Sequence, residues 1–322
     1  MLVFVTSRGH SFPVHTLVNN RLGEATPPCR VVSYDDLFTT NQTVNGVHIF
    51  TGIDQLYDWE VVLAADLCRA LKAKGIVCLN DPARVMSRFE LLRNLHEEGI
   101  NPFNAYRADA RPKPARFPVF IRREFDHRGP VTDLIHDQAE LDRVLAGIRA
   151  DGRTLRGLLV IEYAAEPIAP GIWRKLGTAR IGGAYHILGH VVQDHWAAKH
   201  GKLGLATDPM YEEERAIVAA NQPPEVVKRA FELSGIEWGR ADHATVDGRE
   251  VIYEINTNPW IYRVRNMGAD VRQETMAIAR ERFARLLWQT DAGDGSPVLF
   301  EPSDRLVGYR NMNSDAISPI RP

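Results

Sequence analysis

The sequence predicts a mixed α/β and α+β protein in three parts, an N-terminal α/β domain followed by two α+β subdomains, with a short tail. Three observations predict it. Residues 1–79 alternate short apolar runs with helical stretches, the pattern of a partly parallel sheet. After Pro170 the runs become long and turn back on themselves about Gly182-Gly183, which reads as antiparallel pairing. A chain of 322 residues is also long enough for two or three cores rather than one. The expected divisions are 1–80, 81–165, 166–290 and an irregular tail, 291–322.

Taken in order, Leu2–Val5, Arg30–Ser33 and Val47–Phe50 read as strands, the last after an Asn45-Gly46 turn. Tyr57–Lys74 has helical spacing and stops at Gly75, and Ile76–Leu79 is the next strand. Asp81-Pro82 offers an N-cap acceptor followed by proline, so a helix is expected to open there. Val85, Phe89, Leu92 and Leu95 would share its buried face, and Gly99 would end it. Asn101–Ala115, polar and proline-rich, reads as a linker. A strand follows from Phe117, then a loop at Asp126–Pro130, a helix from about Gln138 to Arg149 and the apolar strand Leu158–Tyr163. Helices are expected around Glu212–Ala220, Pro224–Ser234 and Val271–Thr290. The glycines, prolines and polar residues after Asp291 predict irregular structure.

Composition narrows the class. Apolar residues make up 44% and charged residues 25%, ordinary for a globular chain. Acidic residues number 41 against 39 basic, which argues against a nucleic-acid surface. Cys29, Cys68 and Cys78 are too few and too irregular for a disulfide framework or a cysteine zinc site. His190, His195 and His200 recur every five residues, a spacing that suits neither a helix face nor strand alternation, so they do not read as a zinc set. A loop carrying Trp196 and Lys199 near a cleft is the better reading. No run is long enough for a membrane span and the N-terminus reads as a strand, so a cytoplasmic protein without membrane contact is expected. Oligomeric state is left open.

The chemistry concentrates in Gly239–Pro259. Asp247-Gly248 marks a hairpin. Glu254 and Asn256 lie two apart on a strand and project together, a pair of oxygen donors suited to magnesium. Asp242 joins them in only one register. A two-residue loop would pair it with Tyr253 and turn it away. A three-residue loop, Val246-Asp247-Gly248, would put Arg240, Asp242, Glu254 and Asn256 on one face with Gly248 in a left-handed bulge. The three-residue loop is therefore expected.

Arg240-x-Asp242 followed by Glu254-x-Asn256-Thr257-x-Pro259 resembles the terminal motif of the ATP-grasp superfamily, which includes D-alanine–D-alanine ligase, glutathione synthetase and the ribosomal-protein glutamate ligases. The resemblance runs from about Asn80 to Thr290 in the order of elements. It implies two subdomains clasping ATP, with Asp242, Glu254 and Asn256 holding magnesium and Arg240 contacting phosphate or the reacting acyl group. Two family lysines that contact ATP phosphates correspond to Arg88 and Arg122. Arginine keeps the charge and adds a planar fork, but it is bulkier. Of Arg122 and Arg123 only one faces the cleft by alternation, and Arg122 is preferred. The loop Asp126–Pro130 stands where the family has a glycine-rich flap, with His127 or Arg128 as candidate donors.

Leu158–Tyr163 resembles the strand that meets adenine, which places Tyr163 at the base. Glu162 and Glu166 are candidates for the ribose hydroxyls. On the strand from Trp173, Arg174 and Arg180 share one face, Lys175, Gly177 and Ala179 the other. Arg174, with Arg240, is expected at the reacting groups and Arg180 at the phosphates. The resemblance implies an ATP- and Mg2+-dependent ligase in which a carboxylate becomes an acyl phosphate and a small-molecule or peptide amine displaces phosphate. A kinase that stops at phosphoryl transfer and a non-catalytic nucleotide-binding protein are the alternatives.

Overall fold

The structure is a computed structural model describing residues 1–22, 25–126, 129–261 and 270–315. The N-terminal sheet is parallel, with β1 (Leu2–Thr6), β2 (Cys29–Ser33), β4 (Val47–Phe50) and β5 (Cys78–Leu79) in the order β2-β1-β4-β5. Between them run α1 (Phe12–His15), α2 (Tyr34–Thr39), β3 (Gln42–Val44) and α3 (Asp58–Ala73). Ser33 and Asp36 cap α2 reciprocally, and Leu63, Leu67 and Leu71 bury one face of α3. The cysteines are free thiols.

The helix expected from Asp81 starts later. Asp81 and Pro82 form a turn in which the Asp81 carboxylate accepts from Ala83 N at 3.1 Å. α4 spans Arg88–Glu97, opened by Ser87 and Glu90 in a reciprocal cap. The Ser87–Glu90 pair, which satisfies an N–H at each end of the first helical turn, opens the helix in place of Asp81. Its buried residues are Leu91, Leu92 and Leu95. The supposed linker 101–115 contains β6 (Ala105–Arg107). With β7 (Val119–Arg123) and β8 (Leu158–Glu162) it builds an antiparallel sheet in the order β6-β8-β7, backed by α5 (Gln138–Ala150). Three residues were too short a run to announce a strand without a partner.

The C-terminal sheet is antiparallel: β10 (Ile172–Ile181), β11 (Ala184–Gln193), β12 (Trp238–Val246) and β13 (Arg249–Asn256) stand in the order β11-β10-β12-β13, with β9 (Pro167–Ala169) beside β10. α6 (Asp208–Ala220), α7 (Glu225–Leu233) and α8 (Asp270–Thr290) pack on it. One core joins this sheet to the N-terminal one: Leu2 and Phe4 meet Ile181, Trp238 and Phe283, with the Phe4 and Trp238 rings edge to face at 5.1 Å. Buried Asn80 ties the same seam, donating to Phe50 O at 2.9 Å and Trp238 O at 2.8 Å.

The segment after 290 corrects the irregular tail. β14 (Pro297–Leu299) pairs antiparallel with β3, and α9 (Asp304–Asp315) returns to α2 and α3. Phe300 and Leu306 enter the core of the N-terminal domain, and Ser303 Oγ donates to Asp66 at 2.7 Å. The glycines and prolines of 291–297 are only the connection; the partners that order β14 and α9 lie in the N-terminal domain. Residues 316–322 of that expected tail lie outside the described residues. Among the described residues no helix is long and apolar enough to cross a membrane.

Candidate active site

The hairpin reaches the required geometry by a different route from the one expected. Val246 pairs with Arg249, so the loop has two residues, Asp247 at φ 50° and Gly248 at φ 71°, both left-handed as a tight primed turn requires. The three-residue loop is thus corrected. The register then shifts between Asp242 and His243, where His243 faces Ile252 but Asp242 faces Glu254. A bulge at Tyr253 supplies the extra residue. Beyond it Arg240 pairs with Asn256. Directly opposed residues share a face, so the four polar side chains come together after all.

Cations answer both carboxylates. Lys175 Nζ lies 2.6 Å from Asp242 Oδ2, and Arg240 Nε lies 2.9 Å from Asp242 Oδ1. Arg88 and Arg122 each reach Glu254 Oε2, at 2.8 and 3.1 Å. Arg88 is anchored by α4 and also donates to the carbonyls of Arg123, Glu124 and Asp126. Burial, with Arg88 close by, lowers the pKa of the Arg122 guanidinium. Arg123 takes the other strand face, at the rim of the larger cavity, and is 58% exposed, beside Asp126 at 3.7 Å. Asn256 Oδ1 accepts from Asn258 N at 2.8 Å. Among the described residues no group of three or more His, Cys, Asp or Glu could hold a metal, so any ion here would rest on the two carboxylates, Asn256 and ligands brought with it.

Two cavities meet at this pair. The smaller, about 130 Å³, lies between the β6-β8-β7 sheet and the hairpin and is walled by Phe103, Phe120, Tyr163 and Trp196. The Trp196 ring stands 4.9 Å from Phe120 and 5.6 Å from Tyr163. The larger, about 1090 Å³, opens toward Phe12 and Gln55 of the N-terminal domain. Lys175, Lys199, Asp242 and Glu254 line both. Lys199 has a lowered pKa, chiefly from burial.

Several expected ligands already have partners within the protein, and one of them, Arg180, lies away from both cavities. Glu162 is buried with its oxygens taken by Asn104 N at 3.0 Å, Tyr106 Oη at 2.9 Å and Ala115 N at 2.9 Å. It organises the segment before β7 and also lines the smaller cavity. Glu166 borders the smaller cavity but accepts from Asp247 N at 2.8 Å, clasping the hairpin turn. Tyr163 presents its ring to the cavity, while its N–H donates to Pro118 O at 2.9 Å. Arg180 donates to Gly182 O and Ile236 O at 2.9 and 3.0 Å, away from both cavities. Arg174 reaches the wall of the smaller cavity and pairs with Glu213. His127 and Arg128 lie outside the described residues.

Lys175 was passed over because the Arg174 and Arg180 face of the strand was expected at the site. The parity itself was sound, because Gly177, on the Lys175 face, stands opposite Asp242. Gly177 was the available signal: a Cβ there would lie 3.4 Å from Arg240 Cδ, and glycine inside a strand marks a close approach.

No protein-family model matches the chain, and no curated protein matches it in sequence. Among solved structures, it is similar to D-alanine–D-alanine ligase from Bacillus anthracis complexed with ATP, at 13% identity and TM-score 0.46, over 88% of this chain and 98% of that one. An L-amino acid ligase from Bacillus licheniformis is similar at 14% identity and TM-score 0.46, over 91% and 76%. A RimK domain protein ATP-grasp from Sphaerobacter thermophilus is similar at 13% identity and TM-score 0.48, over 89% and 99%.

Proposed function

We propose that the chain is an ATP-dependent ligase of the ATP-grasp kind, which activates a carboxylate on the γ-phosphate and passes the acyl group to an amine. The observation that carries this reading is the convergence of four cations on one facing pair of carboxylates at the junction of two cavities. Buried N–H groups seek acceptors. The Nε atoms of Arg88 and Arg122 have no hydrogen-bond partner among the described residues, and phosphate oxygens would supply one.

The smaller cavity, walled by aromatic side chains, suits a flat base, and its mouth delivers a phosphate chain to Arg122 and Lys199. Asp242, Glu254 and Asn256 fit magnesium that arrives with phosphate, since that ion takes one or two carboxylates and keeps its other positions for phosphate and water. When bound, the ion would neutralise phosphate charge. The protein's own part is positioning. Arg88 and Arg122 hold the phosphates on the lid side, while Lys175 and Arg240 hold negative charge on the sheet side, where the acyl oxygen would develop it. The acid and the amine enter through the larger cavity.

A coupled ADP-release screen of carboxylate and amine pairs with magnesium tests the reading. ADP release that requires both an acid and an amine is the expected result. Release with an acid alone would make the protein a kinase. ATP binding without release across a broad panel would make it a nucleotide-binding protein.

A further inference from the structure

One row of positions crosses the C-terminal sheet: Gly189 of β11, Gly177 of β10, Asp242 of β12 and Glu254 of β13, each opposite the next in register. Opposed residues share a face, so the row opens on one side. Its two glycines make room for neighbours. Arg240 lies over Gly177, and a Cβ on Gly189 would stand 2.6 Å from Glu214 Oε1. Gly189 also has φ 129°, a conformation other residues rarely adopt. The charged floor therefore continues past Arg240 to a third carboxylate that the phosphate chemistry does not use.

Glu214 comes from α6, and its side chain is 1% exposed. Oε1 accepts the His190 N–H at 2.9 Å. Oε2 has no hydrogen-bond partner among the described residues; Arg272 Nε is 3.4 Å away and not aligned to donate. The His190 ring, 3.7 Å from Oε2, has neither nitrogen hydrogen-bonded among the described residues. Burial, then the charges of Arg272 and Arg174, push its pKa down to about 3. The ring is therefore neutral and one of its nitrogens is an acceptor. Both groups line the larger cavity, and Leu188, Tyr211 and Met276 supply apolar wall beside them. Arg272 balances the Glu214 charge as an ion pair and donates to His190 O at 3.2 Å. It leaves Oε2 and the imidazole nitrogens without a hydrogen bond among the described residues, and a further group rich in N–H, with carbon behind it, would satisfy them.

We propose that Glu214 and His190 form the subsite that receives the ammonium group of a primary-amine substrate, its carbon chain lying against Leu188 and Met276. This rests on the ligase reading for its place in the reaction, but its binding chemistry is separable. The probe is n-butylammonium chloride, titrated at constant ionic strength into protein carrying 15N-labelled histidine, with the His190 ring signals assigned by His190→Gln. Butylammonium is expected to shift those signals saturably, n-butanol is expected not to, and Glu214→Gln should weaken the apparent affinity at least about tenfold, as loss of a charged acceptor does. Unmoved His190 signals, or an equal response to butanol, would overturn the subsite. Should Glu214→Gln fail to fold, the contrast between the two probes on the wild-type protein still decides. The ADP-release screen is run in parallel: butylammonium binding with no ADP release under any pair rejects the ligase reading and keeps the subsite, whereas amine-dependent release with silent His190 does the reverse.

Discussion

Asp242 and Glu254 face each other across one hairpin, yet their charges are answered from different bodies. Lys175 and Arg240, which hold Asp242, belong to the same sheet. Arg88 and Arg122, which hold Glu254, come from α4 and the β6-β8-β7 sheet. The Asp242 pairs are part of a rigid floor. The Glu254 pairs are also a latch between the floor and the layer above it, and any ligand entering between them must exchange with that latch. A carboxylate held only by its own sheet can be preorganised for an ion. One held across the cleft also couples binding to the relative position of the two layers.

The largest test of this contrast is Glu254→Gln. It removes both an oxygen donor and the charge that Arg88 and Arg122 share, so ATP turnover should fall about 10²-fold or more, the scale for losing a key electrostatic group. The fold should persist, as circular dichroism would check. Wild-type turnover would remove Glu254 from the site. Next comes the latch itself. Arg122→Ala should weaken ATP binding by about 1.5–3 kcal/mol, typical of a hydrogen bond to a charged group, and Arg123→Ala, on the other strand face at the rim of the larger cavity, should matter less. Calorimetry giving the opposite ranking would put the wrong strand face in the cleft.

Acid should act on the floor more than on the latch. His186 and His190, both on β11, are buried with pKa values pushed down to about 4 and about 3, and His48 in the N-terminal sheet to about 4. Burial is the leading cause at each. The unfolded imidazole titrates near 6.5, so below that pH the unfolded chain takes protons that the folded one refuses. Stability is then complete above about pH 6.5 and falls as pH drops toward 4, by on the order of 1.4 kcal/mol per pH unit for each histidine. Denaturant midpoints that stay level from about pH 7 to about pH 5 would contradict the assignment.

The smallest effect expected concerns the turn. Gly248→Val should cost about 1–2 kcal/mol, since a β-branched residue tolerates its left-handed conformation poorly. ATP affinity should be unchanged, because the bulge at Tyr253, and not the loop, sets Asp242 opposite Glu254. A parallel loss of affinity would tie the register to the turn.

That contrast between turn and bulge shows what was legible. Spacing left Asp242 in either of two registers, and it was the magnesium chemistry that required Arg240, Asp242, Glu254 and Asn256 to share a face, as they do. The device was not legible, since a bulge carries no residue signature at Tyr253 while Asp247-Gly248 suits either loop. The parallel N-terminal sheet was plain from its apolar runs. β14 and α9 were hidden because their partners lie at the far end of the chain. Alternation told that only one of Arg122 and Arg123 would meet the hairpin, not which; it is Arg122 that reaches Glu254. The partners of Glu162 were not legible, because they are four donors from residues 104–116 that no local pattern brings to it. Gly177 and Gly189 were visible as glycines inside strands, and would have pointed to Arg240 and Glu214 had they been read as clearances.

The central claim is that cations from two layers, balanced for now by two carboxylates, are arranged for a polyphosphate. Calorimetric titration of ATP and of AMP, each with magnesium, tests it most directly. Two extra phosphates reaching Arg88, Arg122 and Lys175 should make ATP bind at least about 10²-fold more tightly than AMP, a factor that two hydrogen bonds to charged groups reach at about 1.5 kcal/mol each. Equal affinities for the two nucleotides, or no binding of ATP, would contradict it.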